Sequence, residues 1–335
     1  MASSISTAGS SAPAPPSPPL ADQDGREARR QARRSRRYRL DVKLAPYAFI
    51  SPFFLLFLVF GLFPLVYTGW VSLHAVSTLT PNQMTWSGTD NYTMLFHDPV
   101  FLKSLRNTLT IGLLSAVPQL LIAMGLAHLL NYKLRGRAFF RVALLAPYAT
   151  SVAAAALIFQ FIFGQNDAGF VNYLLHFVGI HPIAWEPGTW TSQFAVASIV
   201  MWRWTGYNTL IYLAAMQAVP GELYEAAALD GAGRWAQFRN VTVPALRPTI
   251  LFTAVVSAIG SLQLFGEPLL FGNGGVGING GSDNQYSTLA LYMYRIAFNA
   301  EHLGRAAAIG WVIFFIAVVL GGLNALIARR LRKSA

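Results

Sequence analysis

Six stretches of the chain are apolar almost throughout, near residues 47–72, 107–131, 140–163, 193–217, 249–271 and 304–328. Polar residues gather between them and at the two ends. Each stretch reaches or exceeds the roughly 20 residues an α-helix needs to cross the hydrocarbon core of a bilayer. In that medium every backbone N–H and C=O needs an internal partner, so the pattern predicts six transmembrane helices. The expected fold class is all-α, a polytopic membrane protein. Pro52, Pro64 and Pro118 fall inside the predicted helices and should kink them.

The polar remainder divides the chain into an N-terminal tail, 1–44, and a transmembrane domain, 45–335. The tail is Ala/Ser/Pro-rich and then Arg-rich, "SSAPAPPSPPLADQDG" followed by "REARRQARRSRR". Such a composition buries too little apolar surface to offset its ordering entropy, so it is expected to be disordered. Basic residues set the orientation. The tail carries eight arginines from Arg26 to Arg39 and Lys43, the second–third connection Lys133, Arg135, Arg137 and Arg141, the fourth–fifth Arg234, Arg239 and Arg247, and the C-terminus Arg329, Arg330, Arg332 and Lys333. The opposite side has only Lys103, Arg106, Arg295 and Arg305. An excess of Lys and Arg marks the cytoplasmic side, which puts both termini and residues 218–248 in the cytoplasm.

Composition narrows the class further. The 335 residues are 54% hydrophobic and 12% charged, too little charge to cover a soluble domain of this size. The net charge of +11 sits mainly at the ends and in short loops, which speaks for a membrane protein rather than a nucleic-acid binder. There is no cysteine, hence no disulfide, thiolate nucleophile or Cys-type zinc site. "SRRYRL" (Ser35–Leu40) resembles a twin-arginine export signal, but the following apolar run is too long and lacks a small-residue cleavage site. "GNGGVGING" matches G-x-G-x-x-G at Gly272, Gly274 and Gly277, yet it follows a membrane helix instead of a strand, so it reads as a flexible outer loop. Asn91-Tyr92-Thr93 is a glycosylation triplet of low specificity. His176 and His181 share a loop without a third ligand. No P-loop, H-E-x-x-H or G-x-S-x-G motif is present, and no catalytic constellation emerges.

The cytoplasmic segment 218–248 has its own local pattern. Pro220 and Glu222 suit the first turn of a helix, and Leu223, Ala226, Ala227 and Leu229 continue it. Asp230-Gly231 should stop it, because glycine adopts the left-handed conformation that ends helices. A second short helix is predicted over Arg234–Val241, ended by Pro244 and Pro248, with Trp235, Phe238 and Val241 on one face. Small residues on the first helix allow close approach of a partner. The aromatic stripe either meets that partner or packs beneath the membrane helices.

This segment resembles the signature loop of the permease subunits of binding-protein-dependent ABC importers. That loop reads E-A-A, three residues, G, nine residues, then I/V-x-L/V-P. Here the matching positions are Glu225-Ala226-Ala227, Gly231 and Val241-Thr242-Val243-Pro244. Asp230, Ala232 and Phe238 also match the sugar-permease version. The resemblance continues through "NTLTIGLL", "LAPYATSVAAAALIFQFIFG" and "GRAAAIGWVIFF", and leaves out residues 1–37. Gly233 departs from the serine many members carry, at a cost of a few tenths of a kcal/mol as an N-cap. The resemblance implies that Glu225, Ala226, Ala227, Asp230, Gly231, Trp235 and Phe238 form a coupling element seated in a cleft of a cytoplasmic ATPase. It implies two ATP-binding subunits, which carry ATP and magnesium while this chain holds no cofactor or metal and is not an enzyme. It further implies a second permease, identical or different, an extracytoplasmic solute-binding protein, and a bacterial inner-membrane location. No nucleic-acid partner is expected.

Polar residues inside membrane spans are candidates for the solute path. Gly260, Gln263 and Glu267 share one face of the fifth span. Trp204 and Asn208 share a face of the fourth beside Arg203, and Gln160 lies in the third. Arg203 and Glu267 either meet solute or pair with each other. The segments "LFGEPLLFGNGG" and "SDNQYSTLALYMY" most resemble permeases for di- and oligosaccharides, β-linked glucosides among them. A phosphate-bearing solute such as glycerol phosphate would ask for several cations at mid-depth, where only Arg203 is available. A peptide permease, and a membrane enzyme or scaffold, complete the alternatives.

Overall fold

The computed structural model describes residues 45–132, 135–165, 169–272 and 276–333. The predicted tail, 1–44, Lys133 and Gly274 lie outside them. Contacts divide the chain into one unit ending at Val66 and a second running from Tyr67 to Ala335. Among the described residues the architecture is mainly helical, with one two-residue β-ladder in which His74 pairs with Trp86.

The first helix, α1 (Ala45–Ser72), crosses the boundary between the units and contains a π-helical turn at Leu58–Leu62. That turn sits just before Pro64, whose ring would strike the Phe60 carbonyl in a regular α-helix. Widening the turn removes the collision, which is how the expected proline kink is accommodated here.

In the second unit the short strands β1 (His74–Ala75) and β2 (Thr85–Trp86) lead to α2 (Asp90–His97) and α3 (Pro99–Asn131). The α3 helix begins eight residues before the apolar run does. Asp98 caps it, accepting from the N–H of Val100 at 2.8 Å, with Pro99 in the first turn. Its buried stripe is mostly polar or small, with Ser104, Asn107, Thr108, Gly112, Ser115, Gln119, Ala123 and Ala127 beside Phe101, Ile111 and Leu130, while Leu109, Leu113, Val117 and Leu121 face outward. This inverts the pattern of a soluble helix. Lipid solvates leucine as well as a protein core does, so the contact face is chosen for close approach and hydrogen bonding.

The expected third span is two helices, α4 (Arg137–Ala149) and α5 (Val152–Ile162), bent by 95°. Pro147 weakens the end of α4, and Ser151 starts α5 by accepting from the N–H of Ala154 at 3.2 Å. After α6 (Phe170–Phe177), the long α7 (Thr189–Gln217) packs along α3 and against α4. At the second crossing a Cβ on Gly206 would lie 1.6 Å from the Leu144 carbonyl oxygen, so only glycine fits.

The helices α8 (Gly221–Leu229) and α9 (Arg234–Ala245) follow. The second was expected to stop at Val241, but it continues to Ala245 through a π-helical turn at Phe238–Thr242. Pro244 is again the cause, since its ring would meet the Asn240 carbonyl. The expected fifth span is also broken: α10 (Arg247–Leu262) ends before Gln263 and α11 (Gly266–Phe271) restarts the helix. Three further helices are α12 (Val276–Asn279), α13 (Leu289–Phe298) and α14 (Leu303–Lys333). By length and apolarity α1, α3 and α14 suffice to cross a membrane, and counting the bent pairs α4–α5 and α9–α10 as single spans raises the number to five. The 29-residue α7 is long enough but more polar.

The described part of the glycine-rich stretch is tightly packed, contrary to the flexible loop expected. Gly272, Gly277, Gly280 and Gly281 are all buried, and a Cβ on Gly277 would lie 2.2 Å from the Leu269 carbonyl oxygen. Gln193 pins the next segment by donating to the Gln285 carbonyl at 2.8 Å and to Asn107 Oδ1 at 2.9 Å. Burial, with the Glu186 carboxylate nearby, pushes the Tyr286 phenol well above its usual range. Asn91 of the glycosylation triplet is buried, donating to the carbonyls of Ser72 and His74 at 2.9 and 3.0 Å.

Candidate functional site: a polar cavity and a surface helix pair

A cavity of about 400 Å³ opens where α3, α7 and the α10–α11 break meet. The helix stops at Leu262 and restarts at Gly266, and Gln263, Leu264 and Phe265 of the break line the cavity. Ser115 and Gln119 come from α3, Arg203, Trp204, Tyr207 and Asn208 from α7, and Ser257, Gly260, Gln263 and Glu267 from the broken pair. Five of the six predicted pathway residues are thus brought together: Arg203, Trp204, Asn208, Gln263 and Glu267.

The sixth, Gln160, is elsewhere. Its amide donates to the Phe271 carbonyl at 2.8 Å, satisfying a carbonyl at the end of α11 that has no helical partner. It ties α5 to α11 and does not line the cavity.

Aromatic rings form one side of the site. Tyr148 of α4 stacks on Tyr207 with centroids 5.0 Å apart and meets Trp204 edge-on at 5.3 Å. Trp204 and Tyr207 are perpendicular at 5.8 Å. Tyr148 and Tyr207 were not anticipated. Tyr207 follows Arg203 by four residues and Trp204 by three, a spacing that places it on their face. The amides of Gln119, Asn208 and Gln263 and the hydroxyls of Ser115, Ser257 and Ser261 line the same cavity. Arg203 and Glu267 form an ion pair, Nη1 to Oε1 at 2.7 Å, with side chains 13% and 8% exposed. Of the two openings left by the sequence, the pairing is therefore what the structure contains, and both residues still reach the cavity wall.

The second feature is α8–α9. Gly231 has φ +80°, and the turn is closed by two bonds, Ala232 N–H to the Ala227 carbonyl at 2.9 Å and Gly231 N–H to the Ala228 carbonyl at 3.0 Å. This is a Schellman termination, which requires the left-handed residue. Tyr224 and Thr242 hydroxyls, 3.0 Å apart, join the two helices. The aromatic stripe splits. Phe238 meets His128 of α3 with the rings tilted and their centroids 4.4 Å apart, and packs with the cluster of Ala127, Leu130, Tyr212 and Leu246. Trp235 lies over Phe238 and is 70% exposed. Glu225, Ala226 and Asp230 are exposed and Ala227 is half-buried. Leu229 is 90% exposed, an apolar residue the sequence reading used only as a helix former.

Helices that turn leucines outward, a cavity lined by polar and aromatic residues between them and a helix–turn–helix with exposed Leu229 and Trp235 fit a membrane transport subunit. Comparison with known proteins gives the same class. Residues 119–333 match the family described as binding-protein-dependent transport system inner membrane component. The arabinooligosaccharides transport system permease protein AraP of Halalkalibacterium halodurans is 36% identical over 83% of this chain and 85% of its own. The lactose transport system permease protein LacF of Rhizobium radiobacter is 35% identical over 84% and 93%. A chain of the bacterial alginate ABC transporter, crystallised with an alginate pentasaccharide-bound periplasmic protein, shares the fold with a TM-score of 0.72, at 22% identity over 88% of this chain and 98% of that one. The chain belongs to the family of binding-protein-dependent transport system inner membrane components.

Proposed function

We propose that this chain is one half of the membrane pathway of an ATP-driven sugar importer, and that the cavity between α3, α7 and the α10–α11 break passes the sugar. The observation that carries this reading is that the aromatic rings of Trp204 and Tyr207 line one cavity together with the amides of Gln119, Asn208 and Gln263 and the hydroxyls of Ser115 and Ser257. Sugars present apolar C–H faces and rings of hydroxyls, and those two surfaces match them. Relatives named for arabinooligosaccharides, lactose and trehalose/maltose support it. The relative named for sn-glycerol-3-phosphate favours a phosphorylated solute, but the single guanidinium at the cavity is already paired.

The α8–α9 pair is the coupling element in this reading. Its exposed Glu225, Ala226, Leu229 and Trp235 seat in a cytoplasmic ATPase subunit, and the Gly231 turn fixes the angle between the helices. Two ATPase subunits hold ATP and magnesium. A second permease chain completes the pathway, and an extracytoplasmic binding protein delivers solute. Six spans, with α7 as the fourth and both termini in the cytoplasm, agree with the basic-residue asymmetry.

The absence of cysteine makes the test clean. Gln263→Cys and Tyr207→Cys, introduced singly, should react with a water-soluble maleimide in the assembled transporter. A panel of neutral di- and oligosaccharides should include one that slows labelling at both positions and is taken up by the wild type. Labelling that no sugar slows, at either position, would remove the cavity from the pathway.

A further inference from the structure

Arg203 and Glu267 are the one cation and the one anion among the described residues lining the cavity. They face each other from different elements, α7 and α11, at 2.7 Å. The guanidinium is incompletely used: its Nε is buried with no hydrogen-bond partner, although arginine offers five N–H donors in a fork suited to carboxylates. A guanidinium at the wall of a cavity that is otherwise lined by neutral residues is an anion site unless a fixed carboxylate cancels its charge. Glu267, 6% exposed, is placed to do that.

We propose that Glu267 sets the charge selectivity of the pathway. By occupying Arg203 it holds the cavity at zero net fixed charge, so neutral sugars pass and acidic sugars are refused. Removing its charge alone releases Arg203 to bind a sugar carboxylate. This rests on the reading of the cavity as a sugar path. One feature favours a selectivity role over a purely structural one: the pair lies at the cavity wall, where it carries charge that an apolar pair of equal volume would not.

The test uses the complete membrane complex in lipid nanodiscs, without the binding protein so that its own selectivity does not enter. The probes are galactobiose and digalacturonate, which share the 1,4-linked galactose skeleton and differ in the C6 carboxylates. Wild type should bind galactobiose in preference to digalacturonate, and Glu267→Gln should shift that ratio toward the acid on the order of tenfold. Glu267→Asp should keep the wild-type preference. Arg203→Gln/Glu267→Gln, neutral again, should lose the acid binding. The reciprocal variant Arg203→Gln should favour the cationic, fully deacetylated chitobiose, which keeps the proposal testable if Glu267→Gln fails to assemble. An unchanged ratio in Glu267→Gln, or acid binding that survives in the double variant, would overturn the proposal. Maleimide labelling of Gln263→Cys and Tyr207→Cys that no sugar slows would instead overturn the sugar reading, independently of this ratio.

Discussion

Gly231→Val tests the coupling element at a single backbone angle. At φ +80° a side chain meets no steric obstacle from neighbours, because a Cβ there has open space around it. The whole cost is therefore conformational, about 1–2 kcal/mol for an L-residue in the left-handed region and more for a β-branched one. That is a factor of about 5–30 against the native turn. The cheaper alternative for valine is an extended or right-handed turn, which gives up the Ala232–Ala227 and Gly231–Ala228 bonds and re-aims α9 relative to α8. The helices of the transmembrane domain are remote from this residue and should insert normally. Gly231→Asn is the matching control, since asparagine tolerates the left-handed conformation. The assay is co-purification of the ATPase subunit together with solute uptake. Valine should weaken retention and abolish uptake at normal membrane levels, whereas asparagine should retain most of both. Wild-type transport by Gly231→Val would refute the reasoning.

Three other outcomes follow from the same geometry. Gly206→Ala drives a Cβ into the Leu144 carbonyl and should cost about 3 kcal/mol or more, seen as a fall in the melting temperature of the purified complex; an unchanged midpoint would mean that α4 and α7 do not cross as described. Trp204→Ala should raise the half-saturating solute concentration about tenfold while the complex assembles normally, and no change would move the sugar face elsewhere. Reporter fusions at Gly280 and at the C-terminus should report opposite sides of the membrane, outside and inside; the same side for both would sink the six-span topology.

The apolar runs were legible because a bilayer leaves helix as the simplest way to satisfy the backbone. The breaks inside them were not. Ser151 and Gln263 look like ordinary tolerated polar residues of a span, and only the structure shows one capping a new helix and the other turning into a cavity. The same ambiguity explains the split fate of the polar candidates. Gln160 satisfies a carbonyl left free at the C-terminal end of α11, a partner no spacing rule reveals, whereas Glu267 and Arg203 line the cavity as well as pairing with each other. Tyr148 and Tyr207 escaped notice because aromatic residues are common in membrane runs, and their mutual stacking joins helices distant in sequence. The turn at Gly231 was readable since glycine at a helix end carries a local reason. The continuation of α9 to Ala245 was not, because prolines were read as stops when a π-turn absorbs one of them.

The most direct measurement is solute accumulation in proteoliposomes holding this chain with its ATPase, second permease and binding protein. With ATP and magnesium on the ATPase side, a neutral oligosaccharide should concentrate on that side above its level on the other. Glu225→Ala should lower the rate and Gly231→Val should stop it. Equal concentrations on both sides with ATP present, or accumulation that continues with α8–α9 disrupted, would contradict the account.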